Sequence, residues 1–386
     1  MKFSDNSMSA ILLCSYIGIQ KEDVVKPLAL SEWNLFLDKV IKMNMEPSIV
    51  LNKDLEILKS LAYSDNEIER IRKLVSRGGA VAFELNELKS KGINVITLFD
   101  ADYPILMKRK LKRKTPPILF YAGDINLAKK IGIGVVGSRN VDENGIEFTK
   151  ELVKKATEEK LVIYSGGAKG VDSISESTAL LSGGAVVSFI SDSLSSKIKK
   201  REVLANIIDG KLLLISDVKP DVGFSAARAM NRNKYIYAAS YGTFVVSSDY
   251  KKGGTWNGAI ENLKNNWTKE FVWKNNAYVG NIKLIENGAI PFLLNKEKIY
   301  DIITQEETKY VQMDIFNSSI SKKEDNTDDI YNIAKGHIVE KIDLEIELNS
   351  AAEKFNIAKG QMKIWLKRLC DEGLLMLENG VYKKVI

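Results

Sequence analysis

In the stretch Val135-Val136-Gly137-Ser138-Arg139, an apolar run is followed by a glycine turn. The same pattern recurs in Tyr164-Ser165-Gly166-Gly167-Ala168-Lys169-Gly170-Val171-Asp172. Each apolar run predicts a buried strand, and the second turn is predicted to open a helix. Turns that follow neighbouring parallel strands meet at the carboxyl edge of a sheet, where backbone N–H groups attract anions. With Arg139 and Lys169 at its rim, this edge is predicted to hold a phosphate group of a nucleotide or a nucleic acid.

Around these turns, short apolar runs alternate with amphipathic helices over residues 131–275. The predicted strands cover residues 134–137, 161–165, 186–190, 212–216, 243–247 and 271–273. They lack polar alternation, as strands of a parallel sheet covered on both faces do. Strand–helix alternation with right-handed crossovers predicts an α/β fold with a Rossmann-like, doubly wound, mostly parallel sheet.

The flanking sequence predicts two further domains. Residues 1–92 read as an N-terminal helical domain, with Ser64-Asp65-Asn66-Glu67 forming a capping box. The Rossmann-like core is predicted over 93–316, and the polar residues 317–337 are predicted to be a linker. Residues 338–386 predict three helices and a hairpin at Asn379-Gly380, which together make a winged helix. Its basic helix either contacts DNA or is the solvated face of a protein-binding module.

Composition excludes several classes of function. The 386 residues carry a net charge of only +6, so charge alone does not indicate nucleic acid. The single histidine, His337, lies far from the glycine turns, which argues against histidine triads and histidine metal sites. Cys14 and Cys370 form no disulfide or metal framework. Without a signal peptide or a membrane-length apolar segment, we expect a cytoplasmic protein with no membrane partner, metal or cofactor.

Further binding groups are predicted from two other segments. The turn at residues 251–255 follows a strand and is expected to face the same pocket. Asn231 and Arg232 precede Tyr235 and Tyr237, an arrangement that suits a groove along a single strand unless the tyrosines belong to the core. Trp256 is left open between base stacking and packing. The basic run 108–114 is read as a loop that either contacts a polyanion or is solvated.

The hydroxyls of Ser138 and Ser165 are expected to donate hydrogen bonds to phosphate, and Asp172 is expected to cap its helix or to orient Lys169. The complete set of candidate binding residues is Gly137, Ser138, Arg139, Ser165, Gly166, Gly167, Ala168, Lys169, Gly170, Asp172, Asn231, Arg232, Lys251, Lys252, Gly253, Gly254 and Thr255.

A series of motifs over roughly residues 93–305 resembles the bacterial DNA-processing protein A family, DprA or Smf. The matching segments are Asp102-Tyr103-Pro104, residues 116–124, the two pocket turns, Asn231-Arg232-Asn233, and residues 279–281 and 284–289. The pair of pocket turns is the specific part of the match. The chain departs from the family's usual sequence at 224–230, where a proline-containing basic segment is usual, and at the turn 249–256.

The resemblance implies a non-enzymatic protein that binds single-stranded DNA. As a homodimer it would help to load a RecA-type recombinase during DNA uptake, and the departures leave open a divergent member in a defence system.

Two other functions stay open from the residues. A nucleotide sensor would use the same pocket for a small nucleotide. Nucleotide phosphoribohydrolases use a Gly-Gly-x-Gly-Thr-x-x-Glu turn on a similar architecture, but Gly258 stands where the carboxylate would be, and Glu261 follows one helical turn later.

Overall fold

A nine-stranded sheet organises the described residues before 305. The computed structural model describes residues 3–20, 25–52, 57–304, 335, 338–339, 341–342, 345–355, 359–378 and 380–384. The strands are β1 (Asn94–Thr97), β2 (Ile118–Ala122), β3 (Gly132–Val136), β4 (Val162–Ser165), β5 (Val186–Phe189), β6 (Leu212–Ser216), β7 (Gly242–Val245), β8 (Lys269–Trp273) and β9 (Ile290–Phe292). Their order is β1-β2-β6-β5-β4-β3-β7-β8-β9. All neighbours from β6 to β9 are parallel, while β2 is antiparallel to both β1 and β6.

Helices cover both faces of this sheet, as the alternation of strands and helices predicts. They are α1 (Asp5–Cys14), α2 (Leu30–Lys42), α3 (Ile57–Ser60), α4 (Asp65–Val75), α5 (Gly78–Ser90), α6 (Ile105–Leu111), α7 (Glu143–Glu158), α8 (Val171–Leu181), α9 (Leu194–Lys197), α10 (Arg201–Ile208), α11 (Ala226–Ala239), α12 (Gly253–Asn265), α13 (Val279–Glu286) and α14 (Ile299–Thr304). Short 3-10 helices cover Pro47–Leu51, Lys112–Lys114 and Ile125–Lys129. The Rossmann-like α/β prediction is confirmed.

Alternating strand residues divide the core into two layers. Ile133 and Val135 of β3 pack in one layer with α7 and α8, and Val136 packs in the other with α11 and α12. Successive side chains of a strand point to opposite faces, so one apolar strand supplies both layers. The sheet edge between these layers therefore carries the loops that follow β3, β4 and β7.

The helical N-terminal segment shares the first of these core layers. Trp33 and Phe36 of α2 are buried in the same cluster as Ile133. The chain divides into two compact units, Met1–Gln305 and Glu306–Ile386. The helices predicted over 1–92 are present, with the Ser64 hydroxyl capping the Glu67 N–H. They belong to the same unit as the sheet, and the finer domain boundaries stay predictions.

The basic run 108–114 was predicted as a loop, and this is wrong. It forms the end of α6 and the 3-10 helix Lys112–Lys114, because Met107 and Leu111 give the segment a buried apolar side. Its cations also make internal contacts: the Lys110 ammonium donates to the Ser240 carbonyl at 2.7 Å, and Arg113 pairs with Asp38 at 2.8 Å. These contacts reduce its availability to a polyanion.

The second unit contains a small antiparallel sheet. Its described elements are β10 (Glu345–Glu347), α15 (Leu348–Lys354), α16 (Lys359–Asp371), β11 (Leu375–Glu378) and β12 (Val381–Lys384), with strand order β10-β12-β11. Met362, Leu366 and Leu369 of α16 are buried against the other elements. The predicted linker, apart from Lys335, and Asn379 of the predicted turn lie outside the described residues. The winged helix stays a prediction.

Among the residues that the structure describes, no helix has both the length and the apolarity needed to cross a membrane.

Candidate anion-binding site

Three loops meet at the carboxyl edge of the parallel strands. The Val171 N–H donates to the Ser138 carbonyl at 3.3 Å, which joins the turn after β4 to the turn after β3. The Ser138 N–H donates to the Ser247 carbonyl at 3.0 Å, so the turn after β3 is also held by the segment after β7. Asn233 of α11 donates from Nδ2 to the Gly254 carbonyl at 3.1 Å and ties the third turn to that helix.

A cleft of about 380 Å³ opens between these loops and α11. Its cations are Arg139, Arg232 and Lys252, and its acids are Asp172 and Asp249. The predicted residues that line it are Gly137, Ser138, Arg139, Ala168, Asp172, Arg232, Lys252, Gly253, Gly254 and Thr255. The structure thus brings together part of each of the three predicted turns.

Gly170 allows the first two turns to touch. Its φ is +77°, and a Cβ on it would lie 2.3 Å from the Ser138 carbonyl oxygen. Both the left-handed backbone and the close approach require glycine. Gly170 therefore shapes the cleft from behind, although it does not line the cleft itself.

The carboxylates of Asp172 and Glu176 accept hydrogen bonds from N–H groups of the second turn. Oε1 of Glu176 accepts from the Gly167 N–H at 2.8 Å and from the Ser188 hydroxyl at 2.6 Å, and Oδ2 of Asp172 accepts from the Ala168 N–H at 3.4 Å. Burial raises the pKa of both carboxyls, and these hydrogen bonds oppose that shift. The expectation that this turn offers its N–H groups to a phosphate is therefore wrong for Gly167 and Ala168.

The Arg232 guanidinium is the buried cation of the cleft. Arg232 is only 3% exposed, and no described residue accepts a hydrogen bond from its Nε or Nη1. Its Nη1 lies 3.9 Å from Oδ2 of Asp172, so the pair is electrostatic without a direct hydrogen bond. Burial lowers the pKa of Arg232, but a guanidinium keeps its proton because its ordinary pKa is so high.

Gly166 makes room for this guanidinium. A Cβ on Gly166 would lie 1.3 Å from Nη1 of Arg232, so the side chain rests directly against the glycine backbone. Gly166 does not line the cleft, and its contribution is to let the buried cation sit beneath the second turn.

The N-terminus of α12 adds positive potential to the same cleft. The helix begins at Gly253 after Lys252, and no side chain caps its first turn. Gly253, Gly254 and Thr255 all line the cleft. The first N–H groups of a helix lack intrahelical acceptors and carry its positive dipole end, so an anion is stabilised there.

Arg139 lies at the exposed side of the cleft beside an aromatic ring. Its guanidinium carbon is 5.6 Å from the ring centroid of Phe224, in cation–π geometry. Phe224 is 58% exposed, which is unusual for a phenylalanine in a chain whose other rings mostly pack inside. The ring is therefore available to a second planar group.

Several predicted residues do not line the cleft. Ser165 is fully buried and its hydroxyl donates to the Val135 carbonyl at 3.2 Å, so the predicted phosphate contact is wrong. Asn231 faces away across α11 and accepts from the Lys234 ammonium at 2.7 Å. The remaining residues outside the lining are Gly166, Gly167, Lys169, Gly170 and Lys251. Lys169 and Lys251 are exposed beyond the cleft.

The aromatic residues of the α11 and α12 segments are packed. Tyr235 and Tyr237 are 3% and 1% exposed, so the alternative that assigned them to the core is correct and neither offers a ring face. The Tyr235 hydroxyl donates to Asp217. Trp256 is also buried, and its ring centroid lies 5.1 Å from that of Tyr250 in an edge-to-face contact. Of the two alternatives for Trp256, packing is therefore the correct one.

Sequence reasoning missed Asn233, Phe224 and Glu176 as parts of the site. Asn233 is one residue beyond the predicted pair and two positions from Asn231, which places the two amides on different sides of a helix. Glu176 lies four residues after Asp172 in α8, a helical spacing that puts both carboxyls on one face. This four-residue spacing is the sequence feature from which Glu176 could have been predicted as part of the site.

The carboxylate required for a phosphoribohydrolase is not part of this cleft. Gly258 occupies its expected position, and Glu261 does not line the cleft. Instead, Glu261 accepts from the Lys114 ammonium at 3.2 Å on the far side of α12. Glu261 therefore cannot replace the missing catalytic carboxylate without moving.

Comparison with known proteins finds relatives of this chain among DNA-processing proteins. DNA processing protein DprA of Bacillus subtilis is 26% identical over 251 residues, which are 64% of this chain and 82% of that protein. DNA processing protein DprA of Streptococcus pneumoniae is 30% identical over 141 residues, 36% of this chain and 49% of that protein. The X-ray structure of the S. pneumoniae protein has a TM-score of 0.57 at 20% identity and covers 76% of this chain and 95% of its own, which shows a shared fold.

A family model described as DNA recombination-mediator protein A matches residues 94–304, more than half of the chain. This region contains the whole main sheet and all three loops of the cleft. The description of the family is that of a DNA recombination mediator. The chain belongs to the DNA recombination-mediator protein A family.

Proposed function

We propose that the chain binds single-stranded DNA and holds its backbone phosphates in the cleft between the three loops. The observation that carries this proposal is the buried Arg232 guanidinium, whose Nε and Nη1 have no acceptor among the described residues. A buried cation whose donors lack acceptors costs free energy, and a phosphate oxygen that accepts from one of these donors would lower that cost. Lys252 and the uncapped N-terminus of α12 would neutralise the remaining charge.

The surroundings of the cleft favour a single strand over a duplex. Its volume of about 380 Å³ suits one nucleotide unit, whereas duplex-binding proteins present long helices or strands to a groove. The exposed Phe224 ring beside Arg139 offers a stacking surface for an unpaired base. Bases of a duplex are already stacked on each other and cannot use it.

Fluorescence anisotropy with a labelled single-stranded oligonucleotide tests this proposal. An Arg139→Ala/Lys252→Ala variant loses two cations that line the cleft, and we expect its affinity to fall by about tenfold or more at low salt. The slope of log affinity against log salt should also become shallower, by roughly one for each phosphate contact removed.

Lys169 and Lys251 supply the matched control, because both are exposed lysines on the same loops outside the cleft. A Lys169→Ala/Lys251→Ala variant removes the same charge and should bind nearly as well as the wild type. Equal losses in both double variants would contradict a specific role of the cleft and would leave only general charge attraction.

We propose further that the chain acts as a homodimer and assists the loading of a RecA-type recombinase, in DNA uptake or in defence. The family description, which names a recombination mediator, and the DNA-processing names of its relatives support the recombinase part of this assignment. Sedimentation equilibrium of the full chain tests the dimer. The DNA-dependent ATPase activity of a RecA-type recombinase should rise when the chain is added, and no change would contradict a loading role.

The size of the cleft also supports a second candidate, a mononucleotide-binding sensor. About 380 Å³ would hold one nucleotide without any connected strand. Calorimetry with mononucleotides and cyclic nucleotides separates the two candidates. A nucleotide that binds more tightly than the oligonucleotide favours the sensor, and the reverse order favours DNA.

A further inference from the structure

One side of the anion-binding cleft is apolar. Ala226, Ala229 and Met230 of α11 line the cleft, and their spacing of three and four residues places them on one face of the helix. Val136 of β3 and Ile236 also line it and are buried. None of these five side chains carries a nitrogen or oxygen atom. This apolar wall therefore has no side-chain group for a phosphate and suits an apolar part of the ligand.

Met230 is the accessible part of the apolar wall. It is 48% exposed, and the two alanines on the same face add only methyl groups, which leaves an open surface beside its side chain. Single exposed apolar residues are common on protein surfaces, but this one borders a cleft that also contains cations. The flexible, polarisable thioether of methionine adapts to the edge or face of a flat ring.

The charged groups of the cleft come from other segments. Arg139 and Lys252 belong to the loops after β3 and β7, and the uncapped N-terminus of α12 lies beside Lys252. One helical turn beyond Met230, Asn233 donates its amide to the Gly254 carbonyl. The cleft thus combines cationic loops with an apolar helix face. A nucleotide has the same two parts, a charged phosphate and a base with an apolar ring face.

We propose that the apolar wall holds the base of the nucleotide whose phosphate is bound in the cleft. This inference rests on the DNA-binding proposal and extends it from the backbone to the base. The base lies against Met230 and the methyl groups of Ala226 and Ala229, while the phosphate faces Arg139 and Lys252. Because the side chains of the wall offer no donor or acceptor, this contact does not depend on the identity of the base. Phe224 does not line the cleft, so its ring is a separate surface for a base.

Three strands of equal length test the base contact in the full chain by fluorescence anisotropy. Oligothymidylate and an abasic strand carry the same phosphates, but only the first has bases. Wild type should bind oligothymidylate at least tenfold more tightly, because stacking of one base contributes about this factor or more. The third strand carries difluorotoluene, an apolar ring with the shape of thymine, and should bind at least as tightly as oligothymidylate.

Variants of Met230 assign the effect to the apolar wall. Met230→Ala should weaken oligothymidylate binding about fivefold, the effect of losing roughly 40 Å² of apolar contact, and leave the abasic strand unchanged. Met230→Leu keeps an apolar side chain of similar size and should bind both strands as wild type does.

Met43→Ala is the matched control. Met43 is 43% exposed at the end of α2 and does not line the cleft, so this variant loses the same atoms elsewhere and should bind both strands normally. Alanine is a strong helix former, so Met230→Ala should stay folded, which thermal unfolding checks.

The outcomes separate this inference from the DNA-binding proposal. Failure of wild type to bind either strand would contradict both. Equal binding of oligothymidylate and the abasic strand, or an equal loss of both in Met230→Ala, would leave the DNA-binding proposal standing and overturn the base contact. A difluorotoluene strand that binds much more weakly than oligothymidylate would also overturn it, because polar groups and not the apolar wall would then hold the base.

Discussion

Nη1 of Arg232 and Oδ2 of Asp172 lie 3.9 Å apart, so these two buried groups attract each other without sharing a hydrogen bond. Asp172 uses its carboxylate on the turn backbone, through the Ala168 N–H, and only its charge acts on Arg232. The arrangement holds a guanidinium in place while leaving two of its donors unoccupied. An anionic ligand would therefore compete with Asp172 for the charge of Arg232 and not for an existing hydrogen bond.

Replacing Asp172 by Asn should strengthen DNA binding. The amide keeps an oxygen for the Ala168 N–H but removes the negative charge beside the proposed phosphate. We expect affinity to rise about fivefold at low salt, the order expected for one charge at this distance in a partly solvated site. Anisotropy with the single-stranded oligonucleotide measures the change, and a weaker variant would show that Asp172 is needed to position Arg232.

The raised pKa of Asp172 leads to a prediction about how DNA binding depends on pH. Burial raises the pKa of Asp172, so its carboxyl is protonated at a higher pH than an exposed aspartate. Loss of its charge removes repulsion, and affinity for DNA should rise as pH falls toward 5. In Asp172→Asn this rise should be smaller, because the variant has no charge to lose at that position. Parallel pH profiles for the two proteins would contradict the assignment.

Gly166→Ala should displace Arg232. The new Cβ would lie 1.3 Å from Nη1, so the guanidinium has to move away from the second turn. We expect a loss of about 1–3 kcal/mol in unfolding free energy and a several-fold change in DNA affinity. Gly79→Ala is the control, because nothing lies within 4 Å of its added Cβ and the position is helical. Chemical denaturation should show that variant unchanged or slightly more stable.

Phe224→Ala tests base stacking. The ring is 58% exposed, so its loss should leave the thermal unfolding midpoint close to that of the wild type. DNA affinity should fall by about 1–3 kcal/mol, the usual value of one stacked base, with no change in the salt slope. Phe224→Trp should restore binding. A shallower salt slope in Phe224→Ala would indicate that the ring acts by placing Arg139.

Glu270 predicts a pH-dependent stability that does not involve the cleft. Burial raises its pKa to about 8, and Oε1 has no hydrogen-bond partner among the described residues, while Oε2 accepts from Asn262 at 2.9 Å. The folded state therefore retains a proton that the unfolded chain releases near pH 4.5. Stability should fall as pH rises between these values, by on the order of 5 kcal/mol in total.

Glu270→Gln should remove most of this slope, because a glutamine mimics the protonated acid. Urea unfolding at several pH values measures it, with the exposed Glu286→Gln variant as control. At pH 9 the Glu270→Gln variant should be more stable than wild type. An identical slope in both proteins would mean that Glu270 titrates normally in the folded state.

Much of the α/β architecture follows from local patterns. The runs ending at Val136, Ser165 and Ser216 are apolar without alternation, which only strands covered on both faces tolerate, and they are β3, β4 and β6 of the sheet. The capping box at Ser64 likewise marks the start of α4. By contrast, the basic run at 108–114 has the composition of a solvated loop, although the structure places its first part in a helix that buries Met107 and Leu111.

For the candidate site too, one part follows from local sequence and another part depends on tertiary packing. Gly137, Arg139 and Gly253 follow strands in the sequence, and the rule that loops after parallel strands share one edge is enough to gather them. The local sequence does not determine which N–H groups of the turns remain free to bind a ligand. The carboxylates of Glu176 and Asp172 reach back from α8 to the second turn, and packing of α11 buries Arg232 against Gly166.

The sequence by itself therefore determined the family, the sheet and the loops at its edge, because these depend on periodicity and on short motifs read along the chain. Only the tertiary structure decided that Arg232 and Lys252 line the cleft while Lys169, Lys251 and Asn231 do not. Side-chain direction at the start of a helix changes by about 100° per residue. Neighbours in sequence thus face different sides of α11, and contacts between distant segments select the side that meets the ligand.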